Sequence, residues 1–388
     1  MKGHDDLAAA LANRPVWESD ADPRLLDPGP GDLGGRYDVL VVGGGVIGLA
    51  TAALCRRAGL GRVAVVERGR LAGGPSGGGA GILAPALHSD TALECLTTFG
   101  CSSLALWKQL DREWDGALGI EPLDILQTLA PEPAPGAKAA PEPEPASGRE
   151  VLGGEAARTL EPRLGPGLGG VLLRDQARVH PLRLAGALAR RAGTVATGFR
   201  VVGVEPAGSG GLRVRSHHGD LEAGAVVVAT GSAPAIEGLP RPGGQLQVKG
   251  TLLATAPAPL RLRVGVAGHD GLAFQLADGR LVFGNTFQPT DGSPEVRPET
   301  LAATRADLEA LVPDAAGLPL SHAWTCFRPA TTTGLPVIDK LEGFDSVWVT
   351  YGHFRTGFLL AAATGHALAT WISEARRPEE VTAFRAPG

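Results

Sequence analysis

Two short stretches near the start of the chain, DVLVV (38–42) and RVAVVE (62–67), are mostly apolar, and small apolar residues recur with helical spacing between them, over 49–58. Glycines separate the first run from the helical segment. A strand, a glycine turn, a helix and a second strand within about 30 residues are typical of a βαβ unit with buried parallel strands. The pattern therefore predicts an α/β core that begins near Tyr37.

The rest of the chain shows further helical and strand patterns. Helical spacing predicts helices over 182–192, 299–312 and 357–375. Alternating apolar positions bounded by glycines predict strands, the first three of which would form a β-meander that returns to a buried strand. These strands are predicted at 200–205, 211–218 and 225–231, within 246–290, and at 321–328 and 346–350.

Composition changes this picture in two places. Proline stands at nearly every second position over much of 130–147. Because proline cannot donate a hydrogen bond to a neighbouring strand, a polyproline-like or disordered loop is predicted there. Residues 1–36 are polar, acidic and rich in proline and glycine near their end, and they are predicted to form an N-terminal extension with one short helix at 5–13.

Charge and cysteine content argue against several classes of protein. The chain has 36 basic and 41 acidic residues and a formal net charge of −5, so it has no basic footprint for a nucleic acid partner. The four cysteines, Cys55, Cys95, Cys101 and Cys326, include no CxxC pair and have no histidine cluster nearby. Neither a disulfide framework nor a metal site is predicted.

No membrane span is predicted either. The longest apolar stretch, 358–372, is too short to cross a bilayer and is predicted to be a core helix. The N-terminus has no continuous apolar region of the kind found in secretory signals. We therefore expect a cytoplasmic protein, and the sequence leaves the oligomeric state open.

A GxGxxG motif occupies 43–48, between the first predicted strand and the first helix. Its first glycine allows a tight turn, its second lets a phosphate approach the backbone, and its third lets helix and strand pack closely. The pyrophosphate of a dinucleotide would sit on the helix N-terminus, and an acidic residue at the end of the second strand would bond ribose hydroxyls. The predicted contacts are Gly43, Gly45, Val46, Ile47, Gly48, Glu67 and Arg68.

A second glycine-rich run over 73–85 and the strand end at 226–232 exceed what a simple NAD domain requires. These stretches resemble the D-amino-acid oxidase / glycine oxidase family of FAD-dependent amine oxidases. In that family the glycine-rich run passes beside the isoalloxazine ring of FAD. The resemblance implies further cofactor contacts at Ser76, Ala80, Gly81, Ile82, Val201 and Gly231.

The most specific part of the resemblance lies in the C-terminal third. The stretch WTCFRPATTTGLPVID (324–339) is similar to the family pattern W-x-G-x-R-P-x-T-x-D-G-x-P-x-I-G, and YGHFRTGFLLAAATG (351–365) is similar to G-H-x-R-N-G-I-L-L-A-P-A-T. The second stretch would bring backbone N–H groups and a helix N-terminus against the flavin pyrimidine, where negative charge develops on reduction. The implied cofactor contacts are His353, Phe354, Arg355, Thr356, Gly357 and Phe358.

Arg328 and Arg355 occupy the two arginine positions that face the substrate carboxylate in glycine oxidases. A guanidinium group binds a carboxylate through two parallel hydrogen bonds and can anchor an amino acid over a flavin. The resemblance therefore implies that both arginines are catalytic-site residues, with Arg355 also supporting the flavin.

The chain departs from the family at three places. Cys326 replaces a glycine, and in the related sarcosine-oxidase branch a cysteine at this place is bonded to the flavin. We expect non-covalent FAD, with a covalent link at Cys326 as the alternative. Leu272 and Gln275 stand where the family often has tyrosine and proline, which argues against glycine itself as the substrate. The turn at 331–334 reads TTTG and lacks the usual aspartate.

The resemblance implies a fold of the α/β class with two domains. A Rossmann-type FAD-binding domain would be assembled from 37–87, 151–232 and 321–377. A mixed-sheet substrate domain would come from 88–150 and 233–320.

The implied reaction is the oxidation of an amino acid or a secondary amine. Hydride would pass from the carbon that bears the nitrogen to flavin N5, giving an imine, and O2 would reoxidise the flavin with release of H2O2. Two alternatives stay open. One is a flavin-dependent dehydrogenase or biosynthetic tailoring oxidase that acts on a larger carboxylated amine, and the other is a catalytically silent flavoprotein scaffold.

Overall fold

A computed structural model describes residues 13–31, 33–88, 94–129, 149–208, 210–231, 236–240, 243–268, 271–284, 288–289 and 292–387. The proline-rich segment 130–147 lies outside the described residues. So does the helix predicted at 5–13, except for its last residue, Asn13.

Within the described residues the α-helices are α1 (Pro23–Leu26), α2 (Val46–Arg57), α3 (Pro75–Gly78), α4 (Glu94–Glu113), α5 (Gly154–Leu160), α6 (Pro181–Ala189), α7 (Pro298–Leu311) and α8 (Gly357–Glu374). Four of the five helices predicted from the sequence are confirmed as α2, α6, α7 and α8. Helices α1, α3, α4 and α5 were not predicted. Short 3-10 turns occur at Val16–Asp20, Pro85–His88, Pro313–Ala315, Phe354–Thr356 and Glu379–Val381.

The strands also follow the predicted pattern, with several additions between 121 and 178. They are β1 (Arg36–Val42), β2 (Val63–Val66), β3 (Ile82–Leu83), β4 (Glu121–Pro122), β5 (Ile125–Thr128), β6 (Arg149–Leu152), β7 (Gly170–Leu173), β8 (Ala177–Arg178), β9 (Thr194–Ala196), β10 (Val201–Pro206), β11 (Leu212–Ser216), β12 (Leu221–Val228), β13 (Gln245–Pro257), β14 (Gly265–Ala267), β15 (Leu272–Gln275), β16 (Arg280–Gly284), β17 (Gln288–Pro289), β18 (Leu320–Thr331), β19 (Val337–Lys340) and β20 (Val347–Tyr351).

The chain divides into two compact units. The larger unit comprises the described residues of Ser19–Ile120, Val179–Val248 and Phe327–Gly388, and the smaller unit those of Met1–Glu18, Glu121–Arg178 and Lys249–Cys326. The division differs from the expected domain bounds, because α4 falls in the larger unit and β6 to β8 fall in the smaller one. The assignment of segments to a cofactor domain and a substrate domain stays a prediction.

The larger unit is built on a parallel sheet. Strands β9, β2, β1, β12 and β20 lie side by side in parallel, with Val39 paired to Val63 on one side and to Ala225 on the other. All four residues of β2 are buried, as expected for a strand covered on both faces. The antiparallel strands β10 and β11 lead into the first half of β12, which confirms the predicted meander.

Helices α2 and α8 pack unusually closely in this unit. A Cβ atom at Gly365 of α8 would lie 2.9 Å from the Ala50 carbonyl carbon and from the Thr51 nitrogen of α2, so the backbones touch. Helix α8 contains the apolar stretch 358–372 and is buried over most of its length, which confirms the predicted core helix. No helix in the described part of the chain is long and apolar enough to cross a membrane.

The smaller unit contains a mixed sheet in the order β17-β13-β16-β15-β14-β5-β7-β6. Strands β5 and β14 are parallel, whereas β15, β16, β7 and β6 add to their neighbours in antiparallel fashion. One core cluster of this unit contains Leu253 and Phe283 from the sheet together with Leu301 and Leu308 from α7. This architecture agrees with the mixed sheet expected from the sequence.

Part of the predicted N-terminal extension is packed into the protein. In the smaller unit the Trp17 ring meets the Trp324 ring edge-on at 5.4 Å, and the Asn13 side chain accepts the N–H of Thr325. In the larger unit Leu26 is 4% exposed, and its carbonyl accepts the N–H of Leu71. Isolated apolar residues in a polar segment gave no periodic signal, so the sequence pattern did not reveal these contacts.

The contact between α2 and α8 generates a stability prediction. Gly365→Ala should lower the free energy of unfolding by about 1–3 kcal/mol, because the added methyl group must push two packed backbones apart. Alanine is otherwise the better helix former by about 1 kcal/mol, so intrinsic propensity predicts the opposite sign. Urea unfolding measures the difference, and the exposed neighbour His366→Ala serves as the control. Equal or greater stability of Gly365→Ala would contradict the close packing.

Candidate functional site

The turn after β1 requires glycine at two positions of the motif. Gly43 has φ of 119°, and a Cβ atom there would lie 2.4 Å from the Ala229 carbonyl oxygen. A Cβ atom at Gly48 would lie 2.0 Å from the Gly43 carbonyl oxygen. Gly45 is the N-cap of α2 and supplies no side-chain acceptor, and a Cβ atom there would have only Ser76 Oγ within 4 Å, at 3.2 Å. The N-terminal end of α2, at Val46 and Ile47, therefore has a shape that would fit a group that accepts hydrogen bonds from backbone N–H.

Glu67 is held beside this turn. One carboxylate oxygen accepts the N–H of Gly44 at 2.7 Å, and the other accepts the N–H of Gly69 at 2.9 Å. The backbone of Glu67 also accepts the N–H of Phe199 at 2.8 Å, which brings the segment before β10, and with it Val201, to the same edge. Arg68 is exposed beside Glu67.

The second glycine-rich run lies against α2 and α8. Ser76 Oγ accepts the N–H of Val46 at 2.9 Å, so the run is fixed to the first turn of α2. Gly81 has φ of 71°, and its carbonyl accepts the N–H of Val179 at 2.8 Å. A Cβ atom at Gly79 would lie 2.9 Å from the Phe358 ring of α8. Ala80 and Ile82, on either side of Gly81, are half-buried.

The loop before α8 has a constrained backbone. Gly352 has φ of 75°, and a Cβ atom there would lie 2.2 Å from Thr331 Cγ2. Phe354 has φ of 47°, a left-handed conformation that few non-glycine residues adopt. Both the N–H and the hydroxyl of Thr356 donate to the His353 carbonyl, at 3.0 and 2.8 Å. The loop therefore holds one defined shape up to Gly357, the first residue of α8.

His353 anchors this loop inside the larger unit. The side chain is buried, and Nε2 lies 3.1 Å from Thr364 Oγ1 on α8. Burial lowers the pKa of His353 to about 3 from its ordinary value of 6.5. The imidazole is therefore neutral at physiological pH, and its hydrogen bond joins the loop to α8.

The two predicted arginines of the site are neighbours in the larger unit. Arg328 is 6% exposed, and Arg355 is largely buried. Burial, and after it the positive charge of Arg328, lowers the pKa of Arg355 to about 10. Two guanidinium groups that repel each other away from water form a site that an anion would stabilise. Gly231, with φ of 64°, lies at the end of β12 and has Pro329 Cγ at 4.0 Å from its ideal Cβ position.

The turn at 331–334 has threonine hydroxyls where the family usually has an aspartate carboxylate. Thr333 stands at the usual aspartate position, and its hydroxyl accepts the N–H of Leu335 at 3.3 Å. Thr331 donates to the Leu335 carbonyl at 2.6 Å. A threonine hydroxyl makes the same kind of local bond that aspartate makes in turns, only more weakly, so the missing carboxylate has a local structural substitute.

Three of the noted departures lie in the smaller unit. Cys326 is a buried, reduced cysteine on β18. The carboxamide of Gln275 accepts the N–H of Leu262 and donates to the carbonyls of Leu260 and Gly279, so this side chain braces a loop. Leu272 is buried on β15. A leucine here presents an apolar side chain where the family often has a phenol.

One cluster of polar contacts was not found from the sequence. Ser103 and Trp107 of α4 hydrogen-bond to the backbone at the start of α8, immediately after the constrained loop. The segment 94–113 was left without an assigned element, although its buried residues Phe99, Leu104 and Trp107 recur with helical spacing. That periodicity was a signal for the helix, but the contact itself joins residues more than 250 positions apart.

Most of the predicted site residues lie in one unit. Cys326 belongs to the smaller unit. The larger unit contains Gly43, Gly45, Val46, Ile47, Gly48, Glu67, Arg68, Ser76, Ala80, Gly81, Ile82, Val201, Gly231, Arg328, His353, Phe354, Arg355, Thr356, Gly357 and Phe358.

Within the described residues no group of three or more histidine, cysteine, aspartate or glutamate side chains is arranged to hold a metal ion.

Comparison with known proteins gives a consistent result. The family described as FAD dependent oxidoreductase (DAO) matches residues 38–371. The chain is 27% identical over 363 residues to a glycine oxidase of Bacillus licheniformis, covering 90% of this chain and 97% of the relative. It is 28% identical to a glycine oxidase of Pseudomonas putida over 84% of this chain and 92% of the relative.

Solved structures are similar over nearly the whole chain. A crystal structure of glycine oxidase from Geobacillus kaustophilus has a TM-score of 0.77 and 26% identity, covering 91% of this chain and 98% of that one. A crystal structure of L-proline dehydrogenase from P. horikoshii also has a TM-score of 0.77, at 17% identity, covering 90% of this chain and 96% of that one. The second similarity shows a shared fold only.

The buried histidine generates a prediction about pH. Because the pKa of His353 is about 3 in the folded protein and 6.5 is its ordinary value, the unfolded chain binds one more proton between these values. The free energy of unfolding should therefore fall as the pH drops from 6.5 towards 3, by up to about 1.4 kcal/mol per pH unit from this residue.

A pair of histidine variants isolates this contribution. His353→Gln, which cannot titrate, should remove about one proton from the slope of unfolding free energy against pH. His366→Gln, at an exposed position of α8, is the matched control variant. Urea unfolding at a series of pH values gives both slopes, and equal slopes for His353→Gln and the parent protein would mean that His353 titrates normally.

Proposed function

This chain belongs to the DAO family of FAD-dependent oxidoreductases, and on that premise we propose that it is an oxidase of a carboxylated amine, with O2 as the electron acceptor and H2O2 as a product. The coenzyme is FAD, and the enzyme class is that of oxidoreductases acting on CH–NH groups. The proposal concerns the substrate, the acceptor and the residues that serve them.

The pair of buried arginines carries the proposal. A substrate carboxylate placed between Arg328 and Arg355 would relieve their mutual repulsion and could accept paired N–H bonds from either guanidinium. Such an anchor leaves the amine nitrogen and its carbon free to face the flavin. Orientation of this kind can supply a large part of catalysis, since the chemistry itself belongs to the coenzyme.

The larger unit has features that suit each end of FAD. We place the pyrophosphate at the N-terminal end of α2, where the N-cap Gly45 supplies no side-chain acceptor, the first turn has no acidic residue, and Ser76 Oγ accepts the N–H of Val46. Glu67 would accept ribose hydroxyls with the lone pairs that its two backbone contacts leave available. The loop before α8 would face the flavin pyrimidine, with His353 holding it in place.

Bound FAD would accept the hydride, which carries both electrons away from the carbon, when the amine loses a proton and becomes an imine. The role of this chain would be to bind the carboxylate, to orient the carbon–nitrogen bond and to stabilise negative charge near the start of α8. A neutral amine can form by proton loss to solvent, so the scheme needs no buried general base.

We propose a substrate other than glycine. Leu272 stands where the family often has a tyrosine, and its apolar side chain cannot donate the hydrogen bond that a phenol would donate. We further propose that FAD is held without a covalent bond and leaves the chain on denaturation, because a buried cysteine such as Cys326 commonly packs as a small apolar side chain.

Anaerobic titration with amines tests the function. The purified protein should be yellow. A panel of amines that includes glycine, sarcosine, proline and D-alanine is added in the absence of air, and the amine that is the substrate should remove the absorbance of the oxidised flavin. Readmission of air should restore the colour and release H2O2. Bleaching followed by transfer of electrons only to an added dye would make the protein a dehydrogenase. A bound flavin that no amine bleaches would refute amine oxidation.

Substitution of Arg328 tests the carboxylate anchor. Arg328→Ala should raise KM for the carboxylated substrate by a factor equivalent to about 2–4 kcal/mol, since the substrate loses a buried charge pair. Arg328→Lys should give an intermediate KM, because lysine keeps the charge and loses the paired geometry. Initial-rate measurements provide KM, and the exposed Arg376→Ala is the control. An unchanged KM for Arg328→Ala would remove this residue from the binding site.

A further inference from the structure

Gly100, Ser103 and Trp107 form one stripe along α4, and this stripe lies against the start of α8. Their spacing of three and four residues puts them on the same face of the helix. A Cβ atom at Gly100 would lie 3.1 Å from the Leu359 side chain, so the two helices approach closely there. Ser103 and Trp107 are 0% and 1% exposed. The stripe is therefore a buried contact with two polar members.

Both polar members hydrogen-bond to the backbone of α8. Ser103 Oγ donates to the Leu359 carbonyl at 2.5 Å and accepts the N–H of Ala363 at 3.0 Å, so it bridges the pair that an α-helix joins directly. Trp107 Nε1 donates to the carbonyls of Phe358 and Leu359, at 2.9 and 3.2 Å.

In an α-helix the carbonyls without an internal partner lie in the last turn, whereas Phe358 and Leu359 stand in the first turn of α8. Trp107 therefore adds a further donor to carbonyls of this turn. Ser103 links Ala363 to Leu359 through a chain of two hydrogen bonds, in which the hydroxyl both accepts and donates. Their effect is on the polarity of the turn as well as on its packing.

A hydrogen bond donated to the carbonyl of a peptide group also affects the N–H of the same group. The Phe358 carbonyl and the Leu359 N–H belong to one peptide group, and the Leu359 N–H is among the first four of α8, which have no acceptor within a helix. Hydrogen bonds in a chain polarise one another, so a bond donated to the carbonyl makes the N–H of the same group a stronger donor. Helix α4 thereby strengthens the positive end of α8.

We propose that Ser103 and Trp107 are positioning residues that favour the reduced, negatively charged form of FAD by polarising and orienting the first turn of α8. The inference rests on the proposed function, which sets the flavin pyrimidine against the start of α8. Neither side chain touches the coenzyme in this scheme, since both act through the backbone of Phe358 and Leu359.

The midpoint potential of the bound flavin tests this role directly. Ser103→Ala and Trp107→Phe should each lower the potential, measured anaerobically against a reference dye. Each lost hydrogen bond should weaken the preference for reduced over oxidised FAD about 2- to 10-fold. Ser103→Ala should fold normally, because Ala363 can then donate straight to the Leu359 carbonyl. Because that carbonyl keeps one donor, Ser103→Ala should lower the potential less than Trp107→Phe does.

Two matched variants serve as controls. Ser102→Ala changes the exposed neighbour of Ser103 on α4, and Trp371→Phe changes a buried tryptophan near the other end of α8. Neither control should move the potential. A merely structural role for Ser103 and Trp107 would lower the unfolding temperature and leave the potential of the FAD-loaded protein unchanged, and that result would overturn the proposal. Equal shifts in the control variants would overturn it as well.

The measurement also separates this proposal from the proposed function. A purified protein that takes up no FAD on reconstitution would refute both. FAD that binds and is bleached by an amine, with the same potential in the parent, Ser103→Ala and Trp107→Phe proteins, would refute only the role of the α4 stripe.

Discussion

The backbone contact between α2 and α8 governs the geometry of the larger unit. At Gly365 the two helices approach so closely that a single methyl group would strike the backbone at Ala50 and Thr51. Each helix starts at a glycine-rich loop, and each start is a positive helix end. The distance between the two positive ends is therefore set by rigid packing, and an extended ligand with negative charge at two places would find both ends in fixed positions.

Side chains from elsewhere in the unit then define each helix start. Ser76 and Glu67 fix the turn before α2, whereas His353 fixes the loop before α8. The site also holds two positive groups close together, and the pKa of Arg355 is lowered first by burial and then by repulsion from Arg328. Packing elsewhere must offset that repulsion, which is common where binding sites are formed in advance of their ligands.

Local patterns in the sequence predicted the parts of the protein that depend on local chemistry. The βαβ unit followed from strand and helix periodicity, and the glycine motif followed from close approaches that no other residue permits, as at Gly43 and Gly48. The bridge from Ser103 to Leu359 joins residues 256 positions apart, and no periodicity carries such information. The burial of Trp17 has the same origin, because its partner Trp324 stands near the other end of the chain. The roles proposed for the arginines come from the family resemblance, since spacing alone could not have paired them.

The left-handed backbone at Phe354 has a consequence for the stability of this loop. A bulky residue in that conformation is costly on its own, and glycine would adopt it without strain. Because the folded chain holds Phe354 in this conformation, the contacts of the surrounding loop must outweigh the cost. The loop therefore keeps its shape only as long as contacts such as the bonds from Thr356 to the His353 carbonyl remain intact.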